Sequence, residues 1–203
     1  MIPRLLLATS NQGKIRELRR LLGHLPVELC TPHETVGVLD VDESGATYEE
    51  NARLKALAYA EASGLPTLGE DSGIEIDALD GAPGIYSARF EGLPDGPEKN
   101  AYVLKLLDNV PPEQRGARYV CSMVLMMDAP LAGGRELITF EGMCPGHVAL
   151  APAGQGGFGY DPIFLVPRLD RTMAELTDAQ KDRVSHRGRA ARKLAGYLEH
   201  AVK

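Results

Sequence analysis

The stretch Gly69-Glu70-Asp71-Ser72-Gly73 sets two adjacent carboxylates and a hydroxyl between apolar residues. Carboxylates in such a setting can hold a divalent cation and orient a water for attack. Thr67 and Leu68 lead into the stretch, and Ile74, Ile76 and Ala78 alternate with Glu75 and Asp77 beyond it. That period of two is the pattern of a half-buried strand. It predicts a junction where one strand ends and the next begins, with Asp71 on the polar face, held still enough for chemistry. Taken alone, Asp-Ser-Gly is also ordinary turn chemistry, so the rest of the chain has to decide.

A second group that could do chemistry is Thr9-Ser10-Asn11-Gln12-Gly13-Lys14. Residues 4–8 read as a strand, and Ile15, Leu18, Leu21 and Leu22 recur at helical spacing, which places this group at a strand-to-helix turn. The first N–H groups of a helix have no partner within it, Gly13 allows close approach, and Lys14 adds a charge at the same end, so the turn suits a phosphate. Gly-x4-Gly-Lys-Ser/Thr is absent, so it is not a Walker loop. A plain helix start capped by Asn11 is the alternative.

Two further segments carry chemistry. Gly154-Gln155-Gly156-Gly157-Phe158-Gly159-Tyr160-Asp161-Pro162 combines glycines that permit close backbone approach with two aromatic faces, which suits a planar ligand such as a base. The same composition also fits a glycine hinge with aromatics turned into the core. Across residues 181–193, Lys181, Arg183, Arg187, Arg189, Arg192 and Lys193 face one acid, Asp182, around Ser185-His186-Arg187. In an acidic chain this asymmetry marks an anion site, while Arg189, Arg192 and Lys193 read as a solvated helix face.

Several elements must position these groups. Residues 27–30 form a second expected strand, and residues 32–46, with Asp40, Asp42 and Glu43, form an acidic loop. Glu43 is the candidate second carboxylate beside Asp71. Thr47 and Glu50 have the spacing of a capping box opening a helix whose apolar stripe is Leu54, Leu57 and Ala58. Asn51 and Lys55 share another face of it one turn apart. Asp80-Gly81-Ala82-Pro83-Gly84 predicts a tight turn, and residues 97–107 a helix. Residues 117–127 form a nearly continuous apolar run, expected as a strand covered on both faces and paired in a long hairpin with residues 136–143 across a loop at 129–134. A terminal helix is expected to bury Ala190, Leu194, Tyr197 and Ala201. The mixture points to an α/β protein around an extended sheet.

The 203 residues, 44% of them hydrophobic, suit one domain from 1 to 203 that buries a core without staples. A formal charge of −6 argues against broad nucleic-acid binding. No apolar run reaches the length of a membrane span, and the opening residues lack the apolar region of a signal peptide, so the expected location is the cytoplasm. Cys30, Cys121 and Cys144 show no CxxC spacing and read as buried, reduced thiols.

With these pieces in order, the chain resembles the inosine triphosphate pyrophosphatase family, whose members hydrolyse inosine, deoxyinosine and xanthosine triphosphates. The likeness rests on Thr9 to Lys14, Glu50-Asn51-Ala52 with Lys55, Asp71-Ser72-Gly73, Gly81-Ala82-Pro83-Gly84-Ile85-Tyr86-Ser87-Ala88-Arg89, Gly157-Phe158-Gly159-Tyr160-Asp161-Pro162 and Ser185-His186-Arg187. The resemblance implies an elongated mixed β-sheet flanked by helices, two lobes with a nucleotide cleft between them, a magnesium requirement and a homodimer. It implies that Thr9, Ser10, Asn11, Gln12, Gly13 and Lys14 hold phosphates and that Glu43 and Asp71 serve the metal, with Asp71 also the base on the attacking water. Ser72, Phe158, Gly159, Tyr160, Asp161, Lys181, His186 and Arg187 would hold the nucleotide. Many relatives have Gly in place of Ser10 and Asp in place of Glu70. A non-catalytic nucleotide sensor would need no metal pair at Asp71 and Glu43, and a pyrimidine-specific relative would not need the Phe158 and His186 segments.

Overall fold

The computed structural model describes residues 4–128 and 134–201. Its seven strands form one mixed sheet in the order β2-β1-β3-β4-β5-β6-β7. Strand β1 (Arg4–Ala8) runs parallel to β2 (Glu28–Cys30) and to β3 (Thr67–Ile76), with Ala8 opposite Gly69. Next come β4 (Gly116–Asp128) and β5 (Arg135–Val148), then the short antiparallel β6 (Phe164–Val166) and β7 (Arg171–Thr172). The expected loop at 129–134 lies outside the described residues except for Gly134.

Helix α1 (Gln12–Leu22) follows β1, and Asn11 caps it by accepting the Lys14 N–H at 3.1 Å. Helix α2 (Tyr48–Ser63) is capped by Thr47, which accepts the Glu50 N–H at 3.1 Å. The Glu50 carboxylate reaches the Ala46 N–H, at 2.6 Å, instead of closing the expected box on Thr47. The expected stripe on this helix is also corrected. Leu54 and Leu57 are 36% and 37% exposed, while Asn51, Ala52, Lys55, Ala56, Tyr59 and Ala60 are buried. The reason is steric: a Cβ on Gly69 would lie 2.0 Å from the Ala52 carbonyl oxygen, so α2 lies so close over β3 that only small side chains fit beneath it. Ala52, Ala56 and Ala60 fill that layer with Val124 and Met126 of β4.

The other face of β4 sends Cys121, Met123 and Leu125 into a core with Leu5, Leu7, Leu18, Leu22 and Leu68, so this strand is covered on both faces as its composition predicts. Helix α5 (His186–Ala201) closes that core with Ala190, Ala191, Leu194, Ala195 and Leu198, and Tyr197 packs at its edge. The side chain of Ala201, expected in the same stripe, lies outside the described residues.

Contacts divide the chain into two units. One contains residues 1–71, 121–142 and 187–203, and the other 72–120 and 143–186. The second has its own core, built from Ile74, Ile76, Tyr119, Tyr160, Ile163 and Phe164 with Val103 and Leu107, the last two contributed by helix α3 (Pro97–Leu106) and the residue after it. The turn at 80–84 is present, with Asp80, Gly81 and Gly84 at positive φ. Helix α4 (Asp178–Val184), capped by Thr177, carries Lys181.

Candidate active site

Asp71 does not sit at a strand end. Thr67–Ile76 is one continuous strand, and the turn reading fails because Gly69 is needed for the approach of α2 rather than for a bend. Alternation along β3 then sends Glu70 and Asp71 to opposite faces, each toward its own cation.

On the α2 side, Lys55 Nζ donates to Asp71 Oδ1 at 3.1 Å and to Glu43 Oε2 at 3.0 Å. Asn51 Nδ2 donates to Asp71 Oδ2 at 3.4 Å and its Oδ1 accepts the Gly45 N–H at 2.9 Å, tying the acidic loop to the helix. Asn51 and Lys55 are therefore a buried pair, not a solvated one. Burial raises the Asp71 carboxyl above the usual aspartate range, and the charges of Lys55 and Lys14 only partly offset it.

On the opposite face, Glu70 is 1% exposed and bridges two cations. Its Oε2 pairs with Lys14 Nζ at 2.9 Å and its Oε1 accepts from Arg187 Nη2 at 2.9 Å. Burial works against the charged carboxylate, but the Arg187 and Lys14 charges win and hold Glu70 well below the usual range. For Lys14 burial favours the neutral amine, yet Glu70 and Asp71 outweigh it and raise its pKa. The loop of Thr9 and Ser10 comes to this place because Ala8 ends β1 opposite Gly69, one residue before Glu70. The C-terminal ends of parallel strands, followed by a helix N-terminus, are where α/β sheets take phosphates. Asn11 is occupied as the cap, Gln12 Nε2 reaches the Ser10 carbonyl at 3.4 Å, and Thr9 Oγ1 accepts the Asn11 N–H at 3.2 Å.

In the second unit, Asp161 is the hub. Its Oδ1 accepts from the Tyr119 hydroxyl at 3.2 Å, and its Oδ2 accepts the Phe158 N–H at 2.8 Å and the Lys181 ammonium. The Lys181 ammonium also lies 5.2 Å from the centre of the Phe158 ring. Gly157 is required here, at φ 72, since a Cβ would fall 1.9 Å from Asp161 Oδ2. His186 stacks on Tyr119 with ring centres 4.6 Å apart and 14° between planes. Of the two expected stacking faces only Phe158 is partly open. Tyr160 is buried, its hydroxyl donating to the Ser87 carbonyl at 2.9 Å with Lys99 over its ring.

Arg187 is likewise buried, and its side chain is bound to Glu17 and Glu70. Arg189, Arg192 and Lys193 lie on the exposed face of α5. Ser72 is half-buried in β3, directly after Asp71. Sequence reasoning assigned no task to Lys55, Asn51, Glu17 or Tyr119. The available signals were Asn51 and Lys55 at helical spacing among alanines, and Gly13 and Glu17 one turn apart on the buried side of α1.

Residues 5–197 match the family described as the Ham1 family. The chain belongs to the Ham1 family. This Ham1-family chain is 50% identical to a protein of Gloeobacter violaceus named dITP/XTP pyrophosphatase, over 94% of its own length and 91% of the relative's. It is 45% identical to a protein of the same name from Yersinia pseudotuberculosis, over 98% and 99% of the two chains. Among solved structures, a HAM1 protein from Coxiella burnetii matches with a TM-score of 0.83 at 36% identity, covering 97% of this chain and 98% of that one. A nucleoside-triphosphatase / dITP/XTP pyrophosphatase from Mycobacterium abscessus matches with a TM-score of 0.70 at 40% identity, covering 96% and 98%. The α/β fold with its mixed sheet is thus that of its family.

Among the described residues no three His, Cys, Asp or Glu side chains converge as a complete metal cage, and no helix is long and apolar enough to cross a membrane.

Proposed function

We propose that this protein hydrolyses inosine, deoxyinosine and xanthosine triphosphates to the nucleoside monophosphate and pyrophosphate. The observation that carries the reading is the convergence of Asp71 and Glu43 on a single cationic group, the Lys55 ammonium. Two carboxylates that already share one cation are hard oxygen donors suited to magnesium, which typically takes one or two carboxylates plus substrate phosphates. Asp71 and Glu43 would hold the ion, and when bound it would neutralise phosphate charge and acidify a nearby water.

The chain's own residues supply the rest. Lys14 and the first turn of α1 bind the triphosphate and stabilise charge on the departing pyrophosphate. Asp71, its carboxyl raised by burial, accepts the proton of the attacking water. The water oxygen bonds to the α-phosphorus, the bond from that phosphorus to the bridging oxygen breaks, and pyrophosphate leaves with the electron pair. Thr9, Ser10 and Gln12 line the loop before and at the start of this helix. In the second unit, the Phe158 ring supplies a face for the base, and the turn of Gly159 and Tyr160, closed by the Asp161 N–H donating to the Phe158 carbonyl at 3.2 Å, supplies backbone amides that can meet a 6-oxo group. Lys181, Ser72 and His186 complete the nucleotide contacts. Adenine presents an amino group where these donors need an acceptor, and buried donors left unpaired reject it. The family resemblance adds a homodimer, and a formal charge of −6 argues against nucleic acid as a partner.

The test is a panel of nucleoside triphosphates with magnesium, scored for pyrophosphate against orthophosphate. Inosine and xanthosine triphosphates should give pyrophosphate much faster than adenosine triphosphate. Orthophosphate as the primary product would place attack at the terminal phosphate and overturn the reading.

A further inference from the structure

The side chain of Arg187, next in sequence to His186, is held between two carboxylates. Its guanidinium, 2% exposed, donates from Nη1 to Glu17 Oε2 at 2.5 Å and from Nη2 to Glu70 Oε1 at 2.9 Å. Glu70 then holds Lys14 through its other oxygen, at 2.9 Å. Cys121 Sγ donates to Glu70 Oε1 at 3.3 Å, which fixes the carboxylate from the β4 side. Glu17 and Lys14 both belong to α1, three residues apart and so neighbours on its surface. The four ionic groups therefore form a chain, from Glu17 through Arg187 and Glu70 to Lys14, whose two ends both lie on α1, so that α5 and β3 grip this helix at two points.

A buried quartet of two cations and two anions is a poor source of stability, because apolar residues of equal volume would serve as well or better. Its geometry does something apolar residues cannot. A lysine ammonium on four rotatable bonds is poorly placed unless a partner fixes it, and Glu70 fixes it while its own carboxylate is pinned, here by one prong of a planar guanidinium whose other prong is held by Glu17. We propose that Arg187 and Glu70 are positioning residues that hold the Lys14 ammonium at the first turn of α1, ready for the phosphate chain. This rests on the reading of Lys14 as a phosphate ligand.

The sign of one substitution separates positioning from plain electrostatics. Glu70→Gln removes a negative charge beside Lys14, so charge alone would tighten binding of an anion, whereas loss of positioning weakens it. Arg187→Lys keeps the net charge and removes only the two-pronged bridge. Inhibition by tripolyphosphate, a phosphate chain without a base, is measured for both variants together with the inosine-to-adenosine triphosphate ratio of kcat/KM. Each variant should raise the tripolyphosphate Ki about tenfold, the loss expected for one well-placed charge-assisted contact, with the ratio unchanged. In a Lys14→Ala background neither should raise Ki further, because the group they position is gone. A general loss of folding would instead appear additively in both backgrounds.

Tighter tripolyphosphate in Glu70→Gln, additive effects over Lys14→Ala, or a shifted base ratio at constant Ki would each overturn the proposal. If Lys14→Ala itself leaves Ki unchanged, the phosphate assignment falls first, and the proposal with it. Should Arg187→Lys fail to fold, Glu70→Gln still gives the deciding sign.

Discussion

Asp71 is bound by Lys55 and Asn51, and Lys55 links it to Glu43. Asp71→Asn keeps its size and most of its hydrogen bonds but removes the charge that both a cation and a proton-accepting role require. Turnover should fall by about 10²–10⁴ or more, since a general base alone accounts for roughly that factor. Inosine triphosphate should still bind, because Lys14 is untouched. Binding measured by calorimetry beside single-turnover kinetics checks both halves, and near-normal hydrolysis by a folded variant would remove Asp71 from the chemical step. Lys14→Ala should act oppositely, raising KM for every triphosphate while the far-ultraviolet circular dichroism stays that of the parent. Glu43 is half-buried in its loop, so Glu43→Gln should raise the magnesium concentration needed for half-maximal rate more than it lowers the rate at saturation.

At the level of elements, the site depends on how closely α2 lies on β3. Asn51 and Lys55 reach Asp71 only because Gly69 lets the Ala52 carbonyl come so near. Gly69→Ala forces backbone apart, and its effect should be out of proportion to one methyl group. The expected loss is about 1–3 kcal/mol of stability, as for other overpacked sites. Activity should also fall, because the helix that carries Lys55 is displaced. Chemical denaturation read beside turnover tests this, and a Gly69→Ala protein with parental stability and rate would show that the contact is not tight.

This contact also explains what could be read from the sequence and what could not. The strand and helix patterns of residues 4–22, the turn at 80–84 and the apolar β4 were legible because local periodicity and turn chemistry determine them. The buried face of α2 was not. Leu54 and Leu57 carry the strongest apolar signal in that helix, and a packing distance too short for leucine overrides it. Gly69-Glu70-Asp71-Ser72-Gly73 looks like a turn because glycine has two uses, bending a chain and admitting a neighbour, and only the fold distinguishes them. By sequence, Arg187 groups with its neighbours Ser185 and His186 as a nucleotide contact, and nothing local in that segment points to carboxylate partners. Those partners, Glu17 and Glu70, lie 170 and 117 residues away in sequence.

For the molecule as a whole, the chain passes between its two units at residues 71–72, 120–121, 142–143 and 186–187. The first three crossings fall inside β3, β4 and β5. A strand cannot be released at one end without disturbing the hydrogen-bonded row it continues, so the two units should unfold in one transition. Three buried cysteines report on this without any label: Cys30 and Cys121 in the first unit and Cys144 in the second. Only a thiolate reacts with alkylating reagents. Burial, with Glu70 beside it, raises the Cys121 thiol well above its usual value, and burial raises Cys30 as well. Raised values mean less thiolate at pH 8, so the native protein should resist iodoacetamide there on grounds of both access and ionisation. In increasing guanidinium, mass spectrometry of the alkylated peptides should show Cys30, Cys121 and Cys144 becoming reactive at a common midpoint. Labelling of Cys144 at clearly lower denaturant than the other two would show that the second unit opens alone, and that the shared strands do not couple the two cores.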